Sequence, residues 1–168
     1  LLCRLRQALL LRAVARAPAD AFAAHGLRLA AGGEAVDGAL PSAAELIARG
    51  EGESGSGKPG PSVAAVERVL VELRGLPSRG KVWLLLRDPG PAVVGCAVAH
   101  AGAEGEAVLS RLCLEDGLRG QGLGKALYEV VERWALEEGS FRSLRADPAP
   151  WQSAVVSLCE RSDGLLDG

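Results

Sequence analysis

The chain of 168 residues contains no Met, no Thr and no Asn, and a single Ile, while Ala, Leu, Gly and Arg dominate it. That bias reads as a property of the coding sequence rather than of the fold, so composition arguments carry little weight here. Cysteine is sparse and scattered. Cys3, Cys96, Cys113 and Cys159 form no CxxC pair, and His25 and His100 are the two imidazoles. Neither a disulfide framework nor a zinc site is signalled, so reduced structural cysteines and no metal are expected. Charge of one sign is also lacking. With 19 Lys and Arg against 21 Asp and Glu, the formal net charge is −2, which gives no case for a nucleic-acid partner or an acidic ligand. Long apolar runs are missing too. The stretch 8–11 is cut off by Arg12, far too short for a membrane span or a signal core. A soluble, cytoplasmic protein without a membrane partner is expected.

The ends read less plainly. The sequence starts at Leu1 rather than Met, as a fragment or processed product would. Residues 1–18 hold Arg4, Arg6, Arg12 and Arg16 and no acid, as expected of an ordinary basic helix or of the remnant of an organellar transit segment. Residues 1–49 are read as an N-terminal helical segment, transit-like or the start of the domain. Within it Ser42-Ala43-Ala44-Glu45 forms a capping box that would open a helix running to Arg49. Residues 50–62, rich in Gly, Ser and Pro, read as a flexible linker, and residues 63–168 as the main domain. The linker contains Gly52-x-x-x-x-Gly57-Lys58, which imitates a Walker A loop. Pro59 stands where the magnesium-binding hydroxyl is needed and no apolar strand precedes it, so a nucleoside triphosphate site is excluded.

Beyond the linker, Val63, Val66, Val69, Leu70 and Leu73 place an apolar stripe on a helix ending near Gly75. Strands follow at 81–87 and 92–100, joined by the turn Asp88-Pro89-Gly90-Pro91 into a hairpin, and a third strand spans 106–115. Leu123, Ala126, Leu127, Val130, Val131, Trp134 and Ala135 recur at helical spacing, so the segment after the third strand is a helix with one core face and a stop at Gly139. Lys125 with Glu129 and Glu129 with Arg133 are i, i+4 pairs on its wet side, each adding ~0.3 kcal/mol. A strand over 141–147, parallel to the third, and a last helix over 150–161 complete the expectation.

Between the third strand and its helix lies Leu118-Arg119-Gly120-Gln121-Gly122-Leu123-Gly124-Lys125. Glycines at 120, 122 and 124 let the backbone turn sharply and bring free N–H groups close to an anion, and the helix start adds the positive end of its dipole. A stability-driven sequence would place an ordinary cap here, because each interior Gly costs about 0.5–1 kcal/mol relative to Ala. The ligand therefore carries a pyrophosphate. Counting from Gly120 or Gly122, the last position of a dinucleotide-binding Gly-x-Gly-x-x-Gly falls on Lys125 or Leu127, so that reading fails.

The pattern Arg119-x-x-Gly122-x-Gly124, after a strand and opening a long helix, resembles the acetyl-CoA signature of the Gcn5-related N-acetyltransferase (GNAT) family. The resemblance covers roughly residues 63–161. It implies an α/β (α+β) fold: a mixed, mainly antiparallel sheet flanked by helices, here lacking the last strands, since only residues 163–168 follow the last helix. It further implies that acetyl-CoA is the co-substrate. In that family the backbone of the strand before the loop holds the pantetheine arm and the thioester carbonyl, which points to Leu112, Cys113 and Leu114. The pyrophosphate would sit on Arg119, Gly120, Gln121, Gly122, Leu123 and Gly124, with Lys125 adding charge.

The same resemblance implies transfer of an acetyl group to a primary amine by direct attack in a ternary complex, with a carboxylate as general base. Matching the third strand to histone acetyltransferase members puts Glu106 there. Other members carry the acid four positions on, at Ser110, and Asp147 at the end of the next strand is a further candidate, its alternative role being an N-cap ahead of Pro148. The tyrosine that many relatives use to protonate the leaving thiolate is missing from the last helix. Tyr128 lies on the core-packed helix, which leaves Ser153 or Ser157 near the thiol and Cys159 as a small apolar residue. Val93-Val94-Gly95, Leu109-Ser110-Arg111 and Leu118-Arg119-Gly120-x-Gly122 resemble the N-alpha-acetyltransferase type that modifies processed actin. That likeness implies an acidic protein N-terminus as the amine-bearing acceptor, with Arg111 or Arg145 lining its groove. The alternative is a non-catalytic acyl-CoA-binding module. Neither acceptor identity nor oligomeric state is set by these residues.

Overall fold

A computed structural model describes residues 2–3, 18–32, 34–52, 60–75, 79–103, 105–137 and 141–146. Strands β1 (Leu2–Cys3), β2 (Leu27–Ala30), β3 (Gly80–Arg87), β4 (Val93–Ala101), β5 (Glu106–Leu114) and β6 (Ser143–Ala146) form one sheet in the order β1-β6-β5-β4-β3-β2. Helices α1 (Pro18–Ala23), α2 (Glu34–Asp37), α3 (Leu40–Gly52), α4 (Val63–Arg74) and α5 (Leu123–Glu137) cover its two faces. The β3–β4 hairpin and the β4–β5 pair are antiparallel. β5 and β6 run parallel, joined by the crossover helix α5, as the sequence leads one to expect.

Because both faces are covered, β3 and β4 are apolar almost without interruption. Alternation still sorts their side chains. Trp83, Leu85, Ala97 and Ala99 pack with Ala107, Leu109 and the Leu123, Leu127, Val131 and Trp134 stripe of α5, with Phe22 of α1 closing that layer. Val82, Leu84, Leu86, Cys96 and Val98 face the other way, onto Ala43, Ala44 and Ile47 of α3 and Val66 and Leu70 of α4.

Several expectations are corrected. The helix expected to open at Ser42 begins at Leu40, so Ser42 lies within its first turn rather than at its cap. Pro41 explains the shift: in the first turn its missing N–H would have had no intrahelical partner anyway. The same helix runs through Gly52, so residues 50–52, expected in the linker, are helical. Residues 1–49 read as an N-terminal helical segment, yet they include β2, which pairs antiparallel with β3 from Leu27↔Arg87 to Ala30↔Leu84. β6 starts at Ser143 rather than 141. Phe141 instead packs on Trp134, ring centroids 5.4 Å apart, and donates its N–H to the Ala135 carbonyl at 2.9 Å. The helix expected over 150–161, with Ser153, Ser157 and Cys159, and most of the linker lie outside the described residues.

Two register shifts shape the site. Leu85 pairs with Gly95 and Leu86 with Val93, which leaves Val94 as an extra residue in β4. Val98 pairs with Arg111 and Ala99 with Leu109, which leaves Ser110 as an extra residue in β5. A bulge of this kind bends a strand and re-aims the side chains beyond it. Leu109 and Leu112 consequently share one face although two residues lie between them, which in a regular strand would put them on opposite faces.

Candidate functional site

The site is built where β5 ends and α5 begins. β5 pairs with β6 only from Glu106↔Ser143 to Leu109↔Ala146. Past the bulge at Ser110, its side facing β6 has no strand partner among the described residues, while its other edge remains paired with β4 as far as Gly95↔Leu114. Leu112, Cys113 and Leu114 therefore lie together on a strand whose edge toward β6 is open among the described residues.

A single 3-10 turn, Asp116–Leu118, leads from the strand into the glycine loop. Gly120 has φ 76° and Gly122 φ 81°, left-handed conformations that strain any L side chain, and a Cβ at either would meet nothing within 4 Å. The space above these two glycines is open. Gly124 differs: a Cβ there would lie 3.6 Å from Leu114 and 3.9 Å from Leu112, so the first turn of α5 sits directly on the β5 side chains. Leu123 anchors that turn in the core at 1% exposure.

The electrostatics come chiefly from the backbone. The first main-chain bond into α5 is from Ala126 N–H to the Gly122 carbonyl at 3.1 Å, and the N–H groups of Leu123, Gly124 and Lys125 have no main-chain acceptor among the described residues. The cations nearby are engaged. Arg119 pairs with Asp116 at 2.9 Å and donates through Nε to the Leu114 carbonyl at 3.3 Å, which folds the loop back on the strand end. Gln121 donates to the Gly117 carbonyl at 2.9 Å, bracing the turn. Lys125 stands 4.0 Å from Glu129 and is mostly exposed, a contact worth little and easily exchanged for an anion. The loop thus offers glycine-lined space, oriented N–H donors and an exposed ammonium, a donor set that fits a pyrophosphate.

The carboxylate candidates separate. Glu106 begins β5 and is held by Arg145, whose Nε donates to its Oε1 at 2.9 Å. It stands four residues ahead of Ser110, roughly 13 Å along a strand. Ser110 donates its hydroxyl to the Val98 carbonyl at 3.2 Å, which leaves its oxygen able to accept. Arg111 turns back to donate to the Ser110 carbonyl at 2.8 Å. The chain leaves β6 at Ala146, opposite Leu109 and one residue before the bulge. Asp147 itself lies outside the described residues. Tyr128 is buried at 1% on α5, in the core as expected.

Sequence reasoning missed three features of this region. The Ser110 bulge carries no glycine marker. Arg87 pairs with Glu115 at 3.1 Å, tying the end of β3 to the strand end before the loop. Gly95 is the third, and its signal was available, since glycine inside a strand marks a close approach: a Cβ there would come within 2.7 Å of Leu114 and 3.2 Å of the Cys113 carbonyl. Among the described residues, no group of three or more His, Cys, Asp or Glu could hold a metal ion, and no helix is long and apolar enough to cross a membrane.

With this geometry in view, the comparisons with known proteins are direct. The sequence profile of the acetyltransferase (GNAT) family matches residues 60–164, and the chain belongs to that family. It is accordingly an N-acetyltransferase with acetyl-CoA as co-substrate. A search of curated protein sequences returns no match. The fold is shared with solved structures of low identity. A GNAT-family acetyltransferase from Staphylococcus aureus Mu50 superposes with a TM-score of 0.64 at 14% identity, over 80% of this chain and 82% of that one. The aminoglycoside N-acetyltransferase AAC(6')-Iy in complex with CoA gives 0.60 at 16% identity, over 81% and 86%. A ribosomal-protein-alanine N-acetyltransferase from Brucella melitensis biovar Abortus 2308 gives 0.59 at 19% identity, over 80% and 89%.

Proposed function

We propose that the chain transfers the acetyl group of acetyl-CoA to a primary amine by direct attack within a ternary complex. The observation that carries this reading is the juxtaposition of the Gly120–Gly122 loop, with its free α5 N–H groups, and the open edge of β5 at residues 110–114. Acetyl-CoA supplies the thioester. The N–H groups of Leu123, Gly124 and Lys125 and the Lys125 ammonium hold its pyrophosphate, and the backbone of Leu112, Cys113 and Leu114 orients the acyl arm along the strand. Arg119, Gly120, Gln121 and Gly122 shape the turn that makes this approach possible.

The amine must give up a proton. Glu106 is poorly suited to receive it directly, because Arg145 occupies its carboxylate and it stands upstream of the bulge. Asp147, the first residue after β6, is assigned as the base, and the Ser110 oxygen as the group that orients the amine. The acceptor is an amine on a protein terminus, a lysine or a small molecule. The known acetyltransferases of this fold include one named for aminoglycosides and one for the alanine of a ribosomal protein, so the fold itself does not choose. Arg145, taken up by Glu106, gives the acidic-peptide reading less support than its sequence position alone.

Calorimetric titration with acetyl-CoA, run beside Gly122→Asp, tests the site. Asp tolerates a left-handed conformation better than most residues, so the variant folds, while its carboxylate repels the pyrophosphate. Micromolar binding lost in the variant supports the reading; equal binding by both proteins rejects it. Thiol release with an amine panel then separates an enzyme from a module that only binds. In that assay Asp147→Asn is expected to lower kcat by about 10²–10⁴-fold and Glu106→Gln by less than about threefold, with a stability loss of about 0.5–1 kcal/mol from the broken ion pair. The reverse order would move the base to Glu106.

A further inference from the structure

Beneath the opened part of β5 lie two thiols that the transfer chemistry does not use. Cys96 of β4 and Cys113 of β5 are direct cross-strand partners, and neither is in a disulfide. Directly opposed strand residues fall within the Cα separation that a disulfide spans. The Cys113 side chain, together with burial, pushes the Cys96 thiol well above its usual pKa, as a close neighbour would. Cys96 is fully enclosed between the sheet and the helical layer that holds Ile47 and Val66. Cys113 is partly exposed and hence reachable from solvent. The Arg111 cation, two residues from Cys113 on β5, acts the other way but is the smallest of these influences, so Cys96 stays a protonated thiol and the more exposed Cys113 is the one that attacks first.

We propose that Cys96 and Cys113 are a redox-sensitive pair that a low-molecular-weight disulfide closes, and that closure weakens acetyl-CoA binding. Cys113 attacks one sulfur of the small disulfide, forming a mixed disulfide and releasing one small thiol, which carries the proton Cys113 gave up. Cys96 then attacks the Cys113 sulfur, expels the second small thiol and passes its proton to it. Two protein thiols are oxidised and one small disulfide is reduced to two thiols. Closing the bond draws the sulfurs to about 2 Å. Cys96 is locked in the core, so β5 gives way. Leu112 and Leu114, on either side of Cys113, are the side chains nearest Gly124, so their displacement reaches the start of α5 directly. The coupling to acetyl-CoA rests on the functional reading above; the disulfide does not.

The test is to incubate the full chain with glutathione disulfide, map disulfide-linked peptides by mass spectrometry, and titrate acetyl-CoA before oxidation, after it, and after dithiothreitol. Expected are a linked Cys96–Cys113 peptide and acetyl-CoA affinity weakened by about tenfold or more, restored on reduction. Cys113→Ala, which lacks the attacking thiol, is expected to give an oxidised-to-reduced affinity ratio near one. Cys96→Ala, which lacks the resolving thiol, is expected to stop at a mixed disulfide on Cys113 with no linked peptide. In the parent chain, absence of the linked peptide, arrest at a mixed disulfide on Cys113, or a linked protein of undiminished affinity overturns the proposal. A linked protein whose reduced form never binds acetyl-CoA overturns the functional reading, and the coupling with it, while leaving the disulfide on record.

Discussion

Helices α4 and α5 start in opposite ways. α4 is opened by Ser62, which sits in extended conformation and accepts the Ala65 N–H on its hydroxyl at 3.2 Å. Its carbonyl takes the N–H groups of Ala65 and Val66, so the third donor of the first turn, the Ala65 N–H, is answered from within the chain. α5 is opened by Gly122 in a left-handed conformation, and the next three N–H groups have no main-chain acceptor among the described residues. Both helices bury an apolar stripe against the same sheet, so packing does not explain the contrast. The difference teaches that the α5 start is arranged for something that arrives from outside the chain, at a cost in local stability that α4 avoids.

The contrast can be broken at three residues. The largest effect on stability is expected from Gly122→Ala, at about 1–2 kcal/mol of destabilisation, since a Cβ must adopt φ 81° although nothing crowds it. A urea transition unchanged by this substitution would mean that the loop relaxes freely and that its conformation is not imposed. Next comes Ser62→Ala. Loss of the cap should cost about 1 kcal/mol and leave acetyl-CoA affinity unchanged, because α4 covers the face of the sheet away from the glycine loop. A drop in affinity there would show that the two helix starts are not independent.

Much of this site was legible because its signals are local. Three glycines, an arginine and a run of apolar positions at helical spacing lie within one stretch of chain, and they gave the loop, α5 and the parallel return of β6. The features that escaped are those that depend on register. Ser110 becomes the extra residue only when β4 and β5 are aligned from both ends. The Glu106–Arg145 pair joins residues 39 apart in sequence. Cys96 and Cys113 look like two scattered cysteines until the strand pairing sets them opposite each other. β2 was missed for another reason: four residues, Leu27 to Ala30, are too few to establish alternation, and its edge position is fixed by pairing with β3 alone.

The smallest expected effect decides most about the cradle. Gly124 has an ordinary helical conformation, and a Cβ there would make normal contacts with Leu114 and Leu112. On stability alone Ala is the better residue, and Gly124→Ala should raise the unfolding free energy by about 0.5–1 kcal/mol. The glycine is then retained at a loss that folding does not explain. The added methyl group fills the gap between the first turn of α5 and β5, beside the strand segment assigned to the acyl arm. Acetyl-CoA affinity should therefore fall several-fold in a protein that is more stable than the parent. A variant that gains stability and binds acetyl-CoA undiminished would confine the ligand to Gly120 and Gly122, moving the acyl arm away from Leu112 and Leu114.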